Sequence, residues 1–94
     1  MCKIVATCHW DNDPDNSRRY IRWVEHTLCS DGSVIIESGR TDTDLIGVSA
    51  SAIEEDPIRK AKWSDLQSDR QEALKKDAAS RGNLTSFELA TRQD

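Results

Sequence analysis

Ser30-Asp31-Gly32-Ser33 stands between two apolar-studded runs, Tyr20 to Leu28 and Val34 to Ile36. Asp-Gly in that setting is a strong short-range hairpin signal, because the central residues of a type I′ turn need φ > 0, which Gly takes freely and Asp tolerates. With Asp31 and Gly32 as the two turn residues, Cys29 faces Val34, Leu28 faces Ile35, Thr27 faces Ile36 and His26 faces Glu37. Register of this kind sorts every side chain onto one of two faces. The first face then carries Ile21, Trp23, Thr27, Cys29, Val34 and Ile36, and the second carries Tyr20, Arg22, Val24, His26, Leu28, Ile35 and Glu37.

The rest of the chain supplies a partner strand and a cover. Cys2 to Trp10 alternates Cys2, Ile4, Ala6, Cys8 and Trp10 against Lys3, Val5, Thr7 and His9, which reads as a strand pairing with the hairpin. Asp11 to Ser17 gathers turn formers around Pro14 and reads as an acidic loop. Beyond a polar connector at 40–47, helix formers take over. Ser51 with Glu54, Ser64 with Gln67, and Asp56-Pro57 are helix-start signals. They predict a short helical turn at 52–55 and a long helix from Pro57 to about Ser80, ended by Gly82. Trp63, Leu66, Ala73 and Leu74 form its apolar stripe, interrupted by Arg70 and Asp77. The expected fold is one α+β domain over 1–94. A three-stranded antiparallel sheet (1–39) precedes a long C-terminal helix (in 48–82) on its first face, and the tail 83–94, through Leu84, Phe87 and Leu89, offers a docking segment or a fourth, edge strand.

Ninety-four residues bury a thin core, so the three Trp carry a large share of it. The net charge of −4 disfavours direct binding to nucleic acid, which needs a basic face. No apolar run is long enough to cross a bilayer, and Met1 to Trp10 lacks the features of a signal peptide. Three cysteines without scaffold density fit free thiols in a reducing cytoplasm, so the cytoplasm is the expected location.

Strand alternation also tests the reactive pairs. Cys8 and His9 are consecutive, and His26 and Cys29 are an odd number apart, so neither pair shares a face and neither can form an activated thiol. Cys2, Cys8 and Cys29 could share the first face, but zinc wants a fourth ligand and both histidines lie opposite. The Asp11-Asn12-Asp13-Pro14-Asp15-Asn16 run mimics an EF-hand start and then lacks the Gly and the closing Glu. No metal, cofactor or catalytic residue is assigned. His26 opposite Glu37 is the one pair that could titrate usefully, and it supports a small enzyme only if a pocket surrounds it.

The reading that remains is a small acidic, non-catalytic protein-binding module. Its candidate surfaces are the second sheet face, through Tyr20, Arg22, His26 and Glu37, and an acidic ridge of Asp11, Asp13, Asp15, Glu54, Glu55, Asp65 and Asp69. Such a ridge suits a protein with a basic, nucleic-acid-binding surface. In length, acidity, thiol content and lack of catalytic signatures the chain resembles, in format, short accessory proteins of phages and mobile elements, including anti-CRISPR and host-polymerase inhibitors. That resemblance implies an inhibitor of a host nucleic-acid-handling complex, acting in the host cytoplasm. The alternative is a homo-oligomeric structural or virion accessory protein that buries the second face against a copy of itself.

Overall fold

The computed structural model describes residues 2–11, 20–42 and 53–92, with backbone alone at 20, 21, 41, 42 and 53. The elements run β1 (Ile4–Asp11), β2 (Tyr20–Cys29), β3 (Ser33–Asp42), β4 (Ile53–Glu55), β5 (Arg59–Lys62), a 3₁₀ turn (Trp63–Asp65), α1 (Ser68–Ser80) and α2 (Leu84–Thr91). All strands are antiparallel, in the order β1-β2-β3, with β4 and β5 both on the far edge of β3. The α+β class and the antiparallel sheet match expectation. The single long helix does not, because helical structure is divided between α1 of 13 residues and α2 of 8.

The hairpin forms where Asp31-Gly32 places it, with a loop one residue longer. Gly32 has φ 92°, its N–H bonds to the Cys29 carbonyl at 3.0 Å, and Leu28 pairs with Val34. The loop is therefore Ser30-Asp31-Gly32, a turn closed by a left-handed Gly, rather than a two-residue I′ turn. Asp31 braces it by accepting hydrogen bonds from the Ser33 hydroxyl at 2.6 Å and the Ser33 N–H at 2.9 Å. These bonds hold the Asp31 carboxyl below its ordinary value. The single added residue moves the whole of β2 to the opposite parity against β3. Leu28 pairs with Val34, His26 with Ile36, Val24 with Ser38 and Arg22 with Arg40, so the β2 residues expected on the second face share a face with Val34 and Ile36. Glu37 pairs with Glu25, not His26.

The core lies between that face and the helices. Val5, Ala6, Leu28, Val34, Leu74, Ala78, Phe87 and Ala90 are buried together, with Cys8, Ile36, Trp63 and Leu66 packed against them. A register irregularity in β1 between Ile4 and Ala6 lets the neighbouring Val5 and Ala6 both enter the core, while Ile4 stays half exposed. Fully buried Leu28, Val34 and Leu74 each contribute about 2 kcal/mol from removal of apolar surface. Trp63 meets Phe87 edge to face at 5.1 Å between ring centroids, tying the turn before α1 to α2.

Three further expectations are corrected. Residues 53–55 are a strand rather than a helical turn, and 59–62 are a strand rather than the start of a helix. Without them β3 would expose a bare edge, and its ladder bonds outweigh the weak helical preference of Arg-Lys-Ala-Lys. The tail is helix α2, which docks on the core through Phe87 and Ala90, so the docking alternative holds, the edge-strand alternative does not, and the extra edge of the sheet comes from 53–62. Gly82 does end α1: it has φ 73°, its N–H bonds to the Ala79 carbonyl and the Asn83 N–H to that of Ala78, which is a Schellman motif. The proposed start at Ser51 and the acidic loop at 12–17 lie outside the described residues.

Cys2 and Cys29 form a disulfide, leaving Cys8 as the free thiol. The expectation of three free thiols is corrected at two of them, and the cytoplasmic location inferred from thiols loses that support. No helix among the described residues is long and apolar enough to cross a membrane.

Two measurements check this arrangement. Ile36→Asp is expected to cost about 3 kcal/mol or more in denaturant unfolding by placing a charge against the core, whereas Ile35→Asp, on the other face, costs about 1 kcal/mol or less. Reduction of the disulfide, which spans a sequence separation of 27, is expected to lower stability by about 3 to 4 kcal/mol on loop entropy alone, read as a fall in melting temperature between oxidised and reduced protein.

Candidate functional site

The parity of β2 sets what lies on each side of the sheet. α1 packs mainly along β1, and its two stripe-breaking residues add polar contacts to the apolar ones that Leu74 and Ala78 make with the sheet. The Arg70 guanidinium lies 3.8 Å above the Trp10 ring, a cation–π contact. Asp77 accepts the Thr7 main-chain N–H at 2.7 Å and pairs with Arg81, which donates to the Thr7 hydroxyl. Asn83 donates to the Val5 carbonyl at 3.1 Å. Main-chain groups on the outer edge of β1 are thus satisfied by side chains from α1 and the turn that follows it.

Under the N-terminal half of α1, Cys8 stands directly opposite His26. The expected two-residue turn hides this pair, because it puts His26 on the second face and Cys8 on the first, whereas the longer loop puts them on the same side. His26 is buried, at 7% exposure, meets the edge of Trp10 at 5.6 Å, and leaves Nδ1 without a hydrogen-bond partner. The electrostatics run against an activated thiol. Burial pushes the Cys8 thiol up to about 11, only partly opposed by Arg70. Burial, with Arg70 and then Arg59 nearby, pulls His26 below its ordinary value. Both groups are therefore neutral at pH 7, the reverse of the thiolate–imidazolium pair that nucleophilic catalysis uses. Among the described residues no group of three or more His, Cys, Asp or Glu is placed to hold a metal ion.

The residues expected to form one sheet-face site are divided. Arg22 and His26 lie on the helix side and Glu37 lies on the other, so His26 and Glu37 cannot act together. Tyr20 is described by backbone alone, where it pairs with Asp42. Arg22 opposes Arg40 across the ladder, and carboxylates beyond β3 relieve the repulsion: Asp56 pairs with Arg22 at 3.1 Å and Glu54 with Arg40 at 2.9 Å. A cleft of about 370 Å³ lies there, lined by Arg22, Trp23, Val24, Ser38, Asp56, Pro57 and Arg59. Ser38 donates its hydroxyl to Asp56, so the cleft contains a hydroxyl and a carboxylate with no histidine to form a relay.

The acidic ridge is also broken up. Glu54 is taken by Arg40, Asp69 by Arg70, and Asp65 accepts the Lys62 N–H. Asp13 and Asp15 lie outside the described residues. Asp11 and Glu55 remain outward, and both belong to the opposite side of the sheet.

That opposite side is covered by no described element. Across it run Thr7, Thr27, Ile35 and Lys60, then His9, Glu25 and Glu37, then Asp11, Trp23, Gly39 and Glu55. His9 stacks on Trp23 with rings 13° from parallel, bonds Asp11 at 2.8 Å and approaches Glu25 at 3.9 Å. Trp23 lies across Gly39, where a Cβ would stand 2.9 Å from the indole and collide with the Glu54 carbonyl. The absent side chain of Gly39 is therefore the seat of the tryptophan. Glu37 faces Glu25 and forms no ion pair among the described residues. Like charges directly opposed destabilise a ladder, so an incoming cation has a place to act.

No protein-family model, no curated protein and no solved structure matches the chain.

The depressed His26 titration has a definite sign. The unfolded histidine takes up a proton near pH 6.5 while the folded one resists until lower pH, so stability is complete above about pH 6.5 and is lost as pH falls. His26→Phe is expected to flatten this acid limb in melts between about pH 5 and 8. An unchanged limb would place the titration elsewhere.

Proposed function

We propose that this protein is a small, non-catalytic binding module whose open sheet face, centred on Trp23, docks a basic surface of another protein. The observation that carries this reading is the grouping of Trp23, stacked on His9 and seated on Gly39, with the carboxylates Asp11, Glu25, Glu37 and Glu55 on the face that no described element covers. An aromatic held rigid by its neighbours loses little entropy on binding, and Trp is enriched at interface hot spots. Surrounding carboxylates steer and orient Arg or Lys side chains, with guanidinium favoured over the indole ring. A partner that ordinarily holds nucleic acid offers such a surface, and an inhibitor of a host nucleic-acid-handling complex, encoded by a phage or mobile element, is the concrete form of the proposal.

The reading places the contact on Trp23, His9, Glu25 and Glu37. Arg22 and His26 serve the covered side instead. Titration of labelled protein with an arginine-rich peptide at low salt is expected to shift the Trp23 indole and His9 resonances, with affinity falling steeply as salt rises. Glu25→Lys with Glu37→Lys should weaken binding by about tenfold or more while leaving the fold intact. Shifts confined to the outer face of α1, or binding indifferent to the charge reversal, would refute the proposal.

A further inference from the structure

The outer edge of the sheet, Ile53 to Lys62, is divided by charge. Glu54, Glu55 and Asp56 occupy one half, Arg59, Lys60 and Lys62 the other, and Pro57-Ile58 lies between. It is also divided by phase. Gly39 pairs with Glu55, Arg40 with Glu54 and Thr41 with Ile53, whereas Ser33 pairs with Lys62, Val34 with Ala61, Ile35 with Lys60 and Ile36 with Arg59. One extra residue in the 56–58 stretch separates the two registers, a bulge in the edge strand.

The phase decides which main-chain groups point outward. The Asp56 N–H bonds to the Ser38 carbonyl, so Ser38 aims its main chain at this edge, and by alternation Val34, Ile36 and Arg40 do the same. Their partners Ala61, Arg59 and Glu54 spend their main-chain groups inward. Outward groups therefore belong to Ile53 and Glu55 in β4 and to Lys60 and Lys62 in β5.

We propose that this edge pairs antiparallel with the same edge of a second copy across a two-fold axis, setting Glu55 opposite Lys60 and Asp56 opposite Arg59 of the other copy. In an unbroken strand this register would match outward residues with inward ones. The bulge changes the phase midway, so β4 of one copy and β5 of the other meet with outward groups aligned, Glu55 to Lys60 and Ile53 to Lys62. The faces agree too, because Glu55 and Lys60 share the open side while Asp56 and Arg59 share the helix side. Each contact occurs twice by symmetry, as an isologous interface requires.

Charge complementarity favours a second copy as the occupant. Glu55, Arg59, Lys60 and Lys62 form no side-chain ion pair among the described residues, and none of them meets a like charge in this pairing. Any register that sets β5 against β5 opposes cations instead. Pro57, at the two-fold centre, has no N–H to donate, so the ladder has a gap there and its two ends carry the association, as expected of a weak, salt-sensitive dimer. Lysines and a proline on an edge also serve to keep strands apart, and the experiment separates the two roles.

Sedimentation of the full chain at low salt is expected to show a dimer that dissociates as salt rises. Lys60→Glu and Glu55→Lys, both at exposed positions, should each raise the dissociation constant about tenfold or more. Mixing the two variants in equal amounts should restore the dimer, since both contacts between positions 55 and 60 then join a carboxylate to an ammonium, and the doubly reversed chain should dimerise alone. Recovery on mixing shows that both variants are folded. A monomer at the highest soluble concentration in low salt, or a dimer indifferent to both single reversals, would overturn the proposal.

Discussion

Everything on the sheet depends on one left-handed residue. Gly32 closes a three-residue loop, and that loop commits Leu28 to Val34 and His26 to Ile36. With a two-residue loop, Trp23, Thr27 and Cys29 would face α1, and Leu28 would lie on the uncovered side. Burial of Leu28 beside Val34, Leu74 and Ala78 rewards the longer loop, and Asp31 strengthens it by accepting both hydrogen bonds from Ser33. Local turn chemistry permits two answers here, and the packing energy of the apolar parity selects one.

The same parity gives the two sides of the sheet different work. On the helix side, polar groups are largely consumed in holding the fold: Asp77 on the Thr7 N–H, Arg70 on Trp10, Asp56 and Glu54 on the arginines of β2 and β3. His26 is the exception, buried with an unpartnered Nδ1. On the open side the carboxylates of Glu25 and Glu37 face each other, and Trp23 occupies the hollow above Gly39. A small domain with a thin core has little stability to spend on opposed like charges, and this is part of the ground for proposing that a cationic surface docks there.

Much of this is readable from the residues, and the failures share a cause. The hairpin, β1, the α+β class and the Gly82 stop follow from local chemistry, and each is present. The parity of β2 is a non-local choice, decided by what Leu28 packs against, and an error of one residue there displaces Arg22 and His26 from the site assigned to them. The strands at 53–62 contain Arg-Lys-Ala-Lys, which locally prefers helix, and only the bare edge of β3 makes them extended. The Cys2–Cys29 bond is missed on other grounds: three cysteines without scaffold density read as free thiols, even though Cys2 and Cys29 share a face in that reading. Trp23 falls to the core through the parity error, although Gly39, two residues beyond Glu37, carries the signal that an aromatic could lie across it.

The Cys2–Cys29 disulfide also bears on chain integrity. It encloses all of β1, all of β2 and the segment joining them in one covalent ring. A single break of the backbone anywhere within that ring opens the circle without releasing a fragment, because the severed ends stay joined through sulfur. The β1–β2 connection can therefore be cut, or rebuilt with new termini, while the paired strands remain one molecule.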